Sequence, residues 1–372
     1  MLKPKNALLV ILTPIVLFAS SSRDKRISEL ERQMMEVGAY QKNQQFGAVY
    51  GPAAAPNYSA SIKVEPFFYK TTVASSNFVC YQEPSFSGGV QAGAGSYYAP
   101  LSFDWSPGVR IGFTKDDFYQ QCSLGLTYTY FTTHTHLYKK KGLSSPFLGF
   151  SSFSQPEVFS EGSYKINFQN LDVDLTKGYF ISEKIVFHTG IGLKGTYLNQ
   201  KEKNSNNLSS RAYRLVFSCT ELMRSRFSAI GPKINYASRW YLFKEMSLFS
   251  RGAGSLLYGY YKISNDYRSE EKGNDLNGVN RVKVKQDFHS FSPYAEMSLG
   301  LSWNRAFYKE KIMLSLSFGY DALFFWRQAK NFQGIGIISN DSHQKENKTF
   351  FYCKKGEDIS FRGLFIQSEI DF

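Results

Sequence analysis

The run from Ile312 to Trp326 puts Ile312, Leu314, Leu316, Phe318, Tyr320, Ala322, Phe324 and Trp326 on even positions, with Ser315, Ser317, Gly319 and Asp321 between them. Successive side chains of a strand point to opposite faces. A period of two therefore gives this strand one continuously apolar face and one that is mostly small or polar. The closing run, Ser360 to Phe372, repeats the pattern: Leu364, Ile366, Ile370 and Phe372 share one face, and Gln367, Glu369 and Asp371 the other. A sheet of such strands must be covered by something apolar along one entire side.

That cover can be lipid. After the amino terminus no run approaches the roughly 20 apolar residues that a helix needs to span a bilayer. Spanning strands, in contrast, hide their hydrophobicity by alternation. With 372 residues, 17% aromatic, 29 glycines and only 42% hydrophobic, the chain suits one large all-β domain.

The amino terminus reads differently. Lys3 and Lys5 precede an apolar stretch, Ala7 to Ala19, too short to span a bilayer, and Ser20 to Ser22 follow. This predicts a secretory signal peptide over 1–21, with Ala19 and Ser21 as the small-x-small pair before the cut. Ile27, Leu30, Met34 and Val37 then recur at three-four spacing against Arg26, Glu29, Glu31 and Arg32, which predicts a short periplasmic helix. Helix and linker cover 22–58, and the barrel domain covers 59–372.

From Ser61 onward, alternating runs are separated by short turns and long polar inserts in turn. Short turns are expected at Thr114–Asp117, Ile181–Lys184, Phe243–Glu245 and Tyr308–Lys311. Long inserts are expected at Thr71–Pro100, Thr132–Gly162, Asn199–Arg226 and Lys262–Asp287. This rhythm predicts a transmembrane antiparallel up-and-down β-barrel of roughly ten strands with both ends in the periplasm, or twelve if Thr71–Pro100 holds another hairpin. One run changes phase: Ile166 and Phe168 are even, whereas Leu171, Val173 and Leu175 are odd. A β-bulge is therefore expected near Gln169.

Charged residues within the runs fall opposite the apolar face. They are Lys63, Glu65, Asp104, Arg110, Asp172, Asp174, Lys194, Lys233, Arg239, Arg251, Glu296, Asp321, Glu369 and Asp371. Lys or Arg on lipid costs about 2–4 kcal/mol at the midplane, so this face is expected to line the lumen. Arg362 is the exception and is expected near the outer end of its strand. The set is mixed in sign, so anion selectivity does not follow from the net charge of +13. Either these groups line an open pore or they pair across a side-chain-filled interior.

Much of the positive excess lies in the inserts, at Lys139, Lys140, Lys141, Lys201, Lys203, Arg211, Arg214, Lys354 and Lys355. Outer-membrane lipid and the phosphates of lipopolysaccharide are the partners expected there, together with small solutes or ions for the lumen. An exported strand protein has little use for nucleic acid. Cys80, Cys122, Cys219 and Cys353 form no CxxC pair and leave three disulfide pairings open. His134 and His136 have no acidic or cysteine partner at ligand spacing, and there is no nucleophile motif or phosphate loop. No cofactor, metal or catalytic residue is expected.

The order of motifs resembles the major-outer-membrane-protein-like pore-forming barrels of Legionella-type and chlamydia-related bacteria. The similar stretches are FDWSPGVRIGF with LTYTYF (Phe103–Phe131), YKINFQNLDVDLTKGYFIS with TGIGLKGTYLNQ (Tyr164–Gln200) and IGPKINYASRWYLFKEMSLFSRGAGSLLYGYY (Ile230–Tyr261). GYDALFFWRQ (Gly319–Gln328) and the closing RGLFIQSEIDF are similar as well, and SELERQMMEV resembles the helical lead of that family. The resemblance implies a porin-like protein of the bacterial outer membrane that passes small hydrophilic solutes or ions, contributes to the envelope and has no enzymatic site. The alternative is a closed barrel that acts as an adhesin or structural protein through its external loops.

Overall fold

The computed structural model describes residues 32, 59–74, 77–82, 96–100, 102–119, 122–140, 157–182, 184–210, 215–242, 245–272, 277–307, 312–338 and 349–372. The expected signal peptide, and all of the expected helix and linker except Arg32, lie outside the described residues. Among the described residues twelve strands follow one another: β1 (Ala60–Val73), β2 (Asn77–Gln82), β3 (Ser96–Pro100), β4 (Ser106–Tyr119), β5 (Cys122–Lys140), β6 (Glu157–Ser182), β7 (Ile185–Ser210), β8 (Leu215–Tyr241), β9 (Met246–Lys272), β10 (Asn277–Phe307), β11 (Ile312–Ile338) and β12 (Thr349–Asp371).

Ten of them close into an antiparallel barrel in the order β1, β12, β11, β10, β9, β8, β7, β6, β5, β4. The insert after β1 does hold another hairpin, β2 with β3, but as a separate two-stranded sheet. The barrel therefore has ten strands and not twelve. β12 closes it against β1, with Ser61 opposite Asp371 and Ile62 opposite Ile370. Ser59 and Ala60 donate backbone N–H groups to the Phe372 carbonyl at 2.8 and 3.0 Å, and Phe372 donates to the Ala60 carbonyl at 2.9 Å.

The alternation decides what faces lipid. Ile62, Val64 and Phe68 of β1, Leu316, Phe318 and Tyr320 of β11, and Leu364, Ile366 and Ile370 of β12 all point outward and are exposed. In three of the expected polar inserts the described residues are strand instead. β7 and β8 stay paired from Asn199–Arg226 up to Ser210–Leu215, and β9 and β10 from Lys262–Asp287 up to Lys272–Asn277. β5 and β6 likewise stay paired up to Lys140–Phe159. A paired ladder satisfies the backbone of a polar segment within the sheet. The barrel thus continues past its apolar band as a β-tower.

β6 has no bulge at Gln169. Phe168, Gln169 and Asn170 face Leu198, Tyr197 and Thr196 in unbroken register. Even positions point inward on both sides of that point, since Tyr164, Ile166, Phe168, Asn170 and Asp172 are all buried. It is the surroundings that invert. Within the bilayer the outer face is apolar and the inner face passes from charged to aromatic; beyond it the tower is largely polar outside and holds both apolar and polar side chains inside.

The apolar core of the protein lies inside the barrel. It joins Phe67 and Tyr69 of β1, Phe131 of β5, Tyr164 and Phe168 of β6, Phe227 of β8, Tyr261 of β9, Phe325 of β11, and Phe361 and Phe365 of β12. Several glycines make room for it. A Cβ on Gly108 would stand 2.2 Å from the Phe67 ring, and one on Gly319 would stand 2.7 Å from the Phe365 ring.

Candidate functional site

The inward positions of β1 read Lys63, Glu65, Phe67 and Tyr69, so a charged layer gives way to an aromatic layer within a few residues. On the neighbouring β12 the inward positions Glu369, Gln367, Phe365 and Phe361 repeat this order.

One side of the charged layer is centred on Glu65, which is 0% exposed. The Arg110 guanidinium of β4 contacts Glu65, and its Nη1 also lies 3.2 Å from Asp321 Oδ2 of β11. Arg251 of β9 reaches Glu65 Oε2 at 3.3 Å and donates to Gln367 Oε1 at 2.8 Å. Tyr69 donates its hydroxyl to Asp321 Oδ2 at 2.6 Å, and Gln367 passes the chain on to Glu369 Oε2 at 2.9 Å. The other side joins β6, β7, β8 and β10. Lys194 Nζ lies 2.8 Å from Asp172 Oδ1 and 3.7 Å from Glu296 Oε2. Lys233 Nζ lies 2.8 Å from Asp174 Oδ2 and 3.4 Å from Asp172 Oδ1. Tyr294 donates to Glu296, and the Lys194 ammonium sits 4.3 Å from the Tyr294 ring centre.

Above these groups the rings meet across the barrel. Phe168 of β6 packs against Phe325 of β11 at 5.5 Å and against Phe361 of β12 at 5.3 Å. β6 and β11 stand five places apart in a ring of ten, so they are diametrically opposed. Phe131 meets Phe361 at 5.3 Å, and Phe67 stacks on Tyr69 at 4.0 Å. These rings therefore reach from one wall of the lumen to the other.

Most of the residues expected to line a pore do point inward. Arg110, Glu65, Asp321 and Arg251 form one network, and Lys194, Lys233 and Glu296 form the other with Asp172 and Asp174. Lys63 lies half-buried on the inner face of β1 opposite Glu369. Arg239 and Asp371 lie near the short turns, half-buried and buried. Asp104 is a correction. It is exposed and precedes β4, while its neighbour Phe103 is 1% exposed and packs edge-on against Tyr164 at 5.6 Å. The alternation that assigned Asp104 to the lumen begins only at Ser106. Arg362 faces outward, but it lies well inside β12 and not near the outer end of the strand where it was expected.

The strand pattern left the aromatic layer unassigned. Its signal lay on the polar face itself, where Phe67, Phe325, Phe361 and Phe365 share a phase with Glu65, Asp321 and Gln367. A second group went unseen because its segment read as an insert. Inside the tower, Glu202 accepts from Asn204 Nδ2 at 3.0 Å, and Glu221 accepts from Asn265 Nδ2 at 2.6 Å. Burial pushes both carboxyl groups up to about 7 against the lowering effect of these amide donors, and the charge of Glu202 raises Glu221 further.

The histidines do not converge. His136 Nε2 lies 3.0 Å from Glu161 Oε1 on the outer face, and His289 packs against Tyr258 and Tyr260. His343 lies outside the described residues. Among the described residues no group of three or more His, Cys, Asp or Glu side chains is placed to hold a metal ion.

Residues 52–372 match the family described as Legionella pneumophila major outer membrane protein precursor. No curated protein matches the chain. Among solved structures, the outer membrane protease OmpT from Escherichia coli is similar at 12% identity, over 86% of this chain and 97% of its own, with a TM-score of 0.34. A mutant of the monoaromatic hydrocarbon channel TodX is similar at 10% identity over 87% of this chain and 93% of its own, with a TM-score of 0.35. A Pseudomonas aeruginosa FadL homologue shows 9% identity over 88% and 96%, with a TM-score of 0.25.

Proposed function

The chain belongs to the Legionella major outer membrane protein family, and we propose that it serves the bacterial outer membrane as a closed barrel, building the envelope and carrying a β-tower on its surface. The contact of Phe168 with Phe325 and Phe361 carries this reading, because it joins opposite walls of the lumen. The ion-paired layer beneath supports it. Nearly every charge there is matched by a neighbour on another strand, so the layer works as a polar plug that ties strands together across the interior.

A porin-like reading has its own support. The Arg251 and Glu296 side chains keep 26% and 24% exposure, so part of the charged layer is open to water. In that reading the paired charges set which small solutes pass, once the aromatic layer moves aside. No chemical step is proposed in either case.

Solute flux separates the two readings. Proteoliposomes of refolded protein, diluted into small neutral sugars, should swell no faster than protein-free vesicles. Swelling that falls with sugar size would overturn the closed-barrel reading in favour of a porin.

A further inference from the structure

The outer face of the tower carries basic residues that neither lumen network uses. Going outward from the apolar band, β7 presents Tyr197, Asn199, Lys201 and Lys203, and β8 presents Ile230, Ser228, Arg226 and Arg224. β9 presents Tyr258, Tyr260 and Lys262; β10 presents Phe291, His289, Asp287 and Lys285; β6 presents Leu171, Gln169, Asn167 and Lys165. Neighbouring outward positions on a strand are about 7 Å apart. On each of these five strands a basic residue therefore stands one to three steps beyond an aromatic or aliphatic side chain of the apolar band.

Their register is unusual. Lys165 pairs with Lys201, and Lys201 pairs with Arg224, so three like charges face one another across three strands. Arg226 pairs with Lys262 one rung nearer the bilayer. Like charges directly opposite destabilise a sheet, and external anions would reverse the sign of that contribution. Arg224, Arg226, Lys262 and Lys285 also line a groove of about 600 Å³. Asp287 lies in the same groove and accepts a hydrogen bond from Tyr260 at 2.7 Å, while Asp266 higher up is engaged by Arg281 at 2.6 Å.

We propose that this belt binds the phosphorylated glycolipid of the outer leaflet, lipopolysaccharide. Its phosphates sit among Arg224, Arg226, Lys262 and Lys285, and its acyl chains run down past Leu256, Tyr258 and Ile230. Guanidinium and ammonium groups suit phosphate through charge-assisted hydrogen bonds. The apolar residues directly beneath distinguish a lipid from a free anion. The site is independent of whether the lumen conducts.

The test is native mass spectrometry of the refolded protein in detergent with diphosphoryl lipid A. The probe is compared with fully dephosphorylated lipid A and with inorganic phosphate as competitor. The variant Arg224→Ser/Arg226→Ser/Lys262→Ser/Lys285→Ser changes only outward side chains, and its folding is checked by heat-dependent gel mobility. At about fivefold per basic residue, screened in part by salt, it should lose on the order of a hundredfold in affinity. The control Arg268→Ser/Lys272→Ser, farther out on β9, should stay within about twofold, by the same distance dependence. Equal loss in the control, or unchanged binding by the four-site variant, overturns the proposal. Equal binding of dephosphorylated lipid A, or full displacement by inorganic phosphate, also overturns it.

Discussion

Arg110→Met removes one cation from the centre of the barrel while keeping most of the side-chain volume. Arg110 contacts Glu65 and Asp321, and those carboxylates are 0% and 1% exposed. Taking away one partner of a buried pair leaves an uncompensated charge and costs about 3–5 kcal/mol. Arg251 still reaches Glu65 at 3.3 Å, and Tyr69 still donates to Asp321 at 2.6 Å. The lower end, about 3 kcal/mol, is therefore the expected loss. Urea unfolding of the barrel in detergent micelles reports it through tryptophan fluorescence, since Trp105 and Trp240 are both exposed on the outer surface. The midpoint should fall with little change in slope, and added salt should hardly alter the difference because the pair is shielded from solvent. Glu65→Gln added to Arg110→Met should recover part of the loss by removing one orphaned charge. A loss below about 1 kcal/mol, the range of exposed ion pairs, would refute the reasoning.

Other perturbations probe other parts of the molecule. Glu202 and Glu221 favour the neutral form in the folded tower, so the stability they contribute is complete below the ordinary glutamate value of 4.5 and is lost as pH rises through about 7. Amide exchange in the outer parts of β7 and β8, corrected for intrinsic rates, should therefore accelerate across that window, and Glu202→Gln/Glu221→Gln should abolish the acceleration; a pH-independent difference would contradict this. Tyr69→Phe withdraws the donor from Asp321 and should cost about 1–3 kcal/mol in the same urea assay, whereas a neutral result would mean that this hydroxyl is not satisfying a buried charge. Gly108→Leu should displace the Phe67 ring and destabilise the barrel by about 1–3 kcal/mol, read as a lower melting temperature; an unchanged value would show that the notch under Phe67 is not filled.

The period-two runs located the lipid-facing surface because lipid punishes polar groups on one face only. Where Ile312 to Trp326 crosses the membrane, the outward set could be read residue by residue. The closing strand was legible for the same reason. The interior gives no such one-sided signal, since a side chain there can pair, pack or meet water. Phe325 and Asp321 share a phase, and nothing in their spacing says that one joins a ring cluster and the other an ion pair. Beyond the bilayer the rule inverts. Tyr164 and Phe168 point inward with Asp172, and Lys201 and Arg224 point outward, so polar strands resembled loops and an inverted face resembled a bulge. Asp104 was misplaced at a strand end, where alternation has no neighbour to anchor it.

Single-channel recording of the refolded protein in a planar bilayer, with folding verified on the same sample, tests the closed lumen most directly. Wild-type protein should give no stable conductance steps. Phe325→Ala and Phe361→Ala, each withdrawing a ring that meets Phe168, should give steps of defined size. Steady steps from the wild-type protein, unaltered by either truncation, would contradict the account.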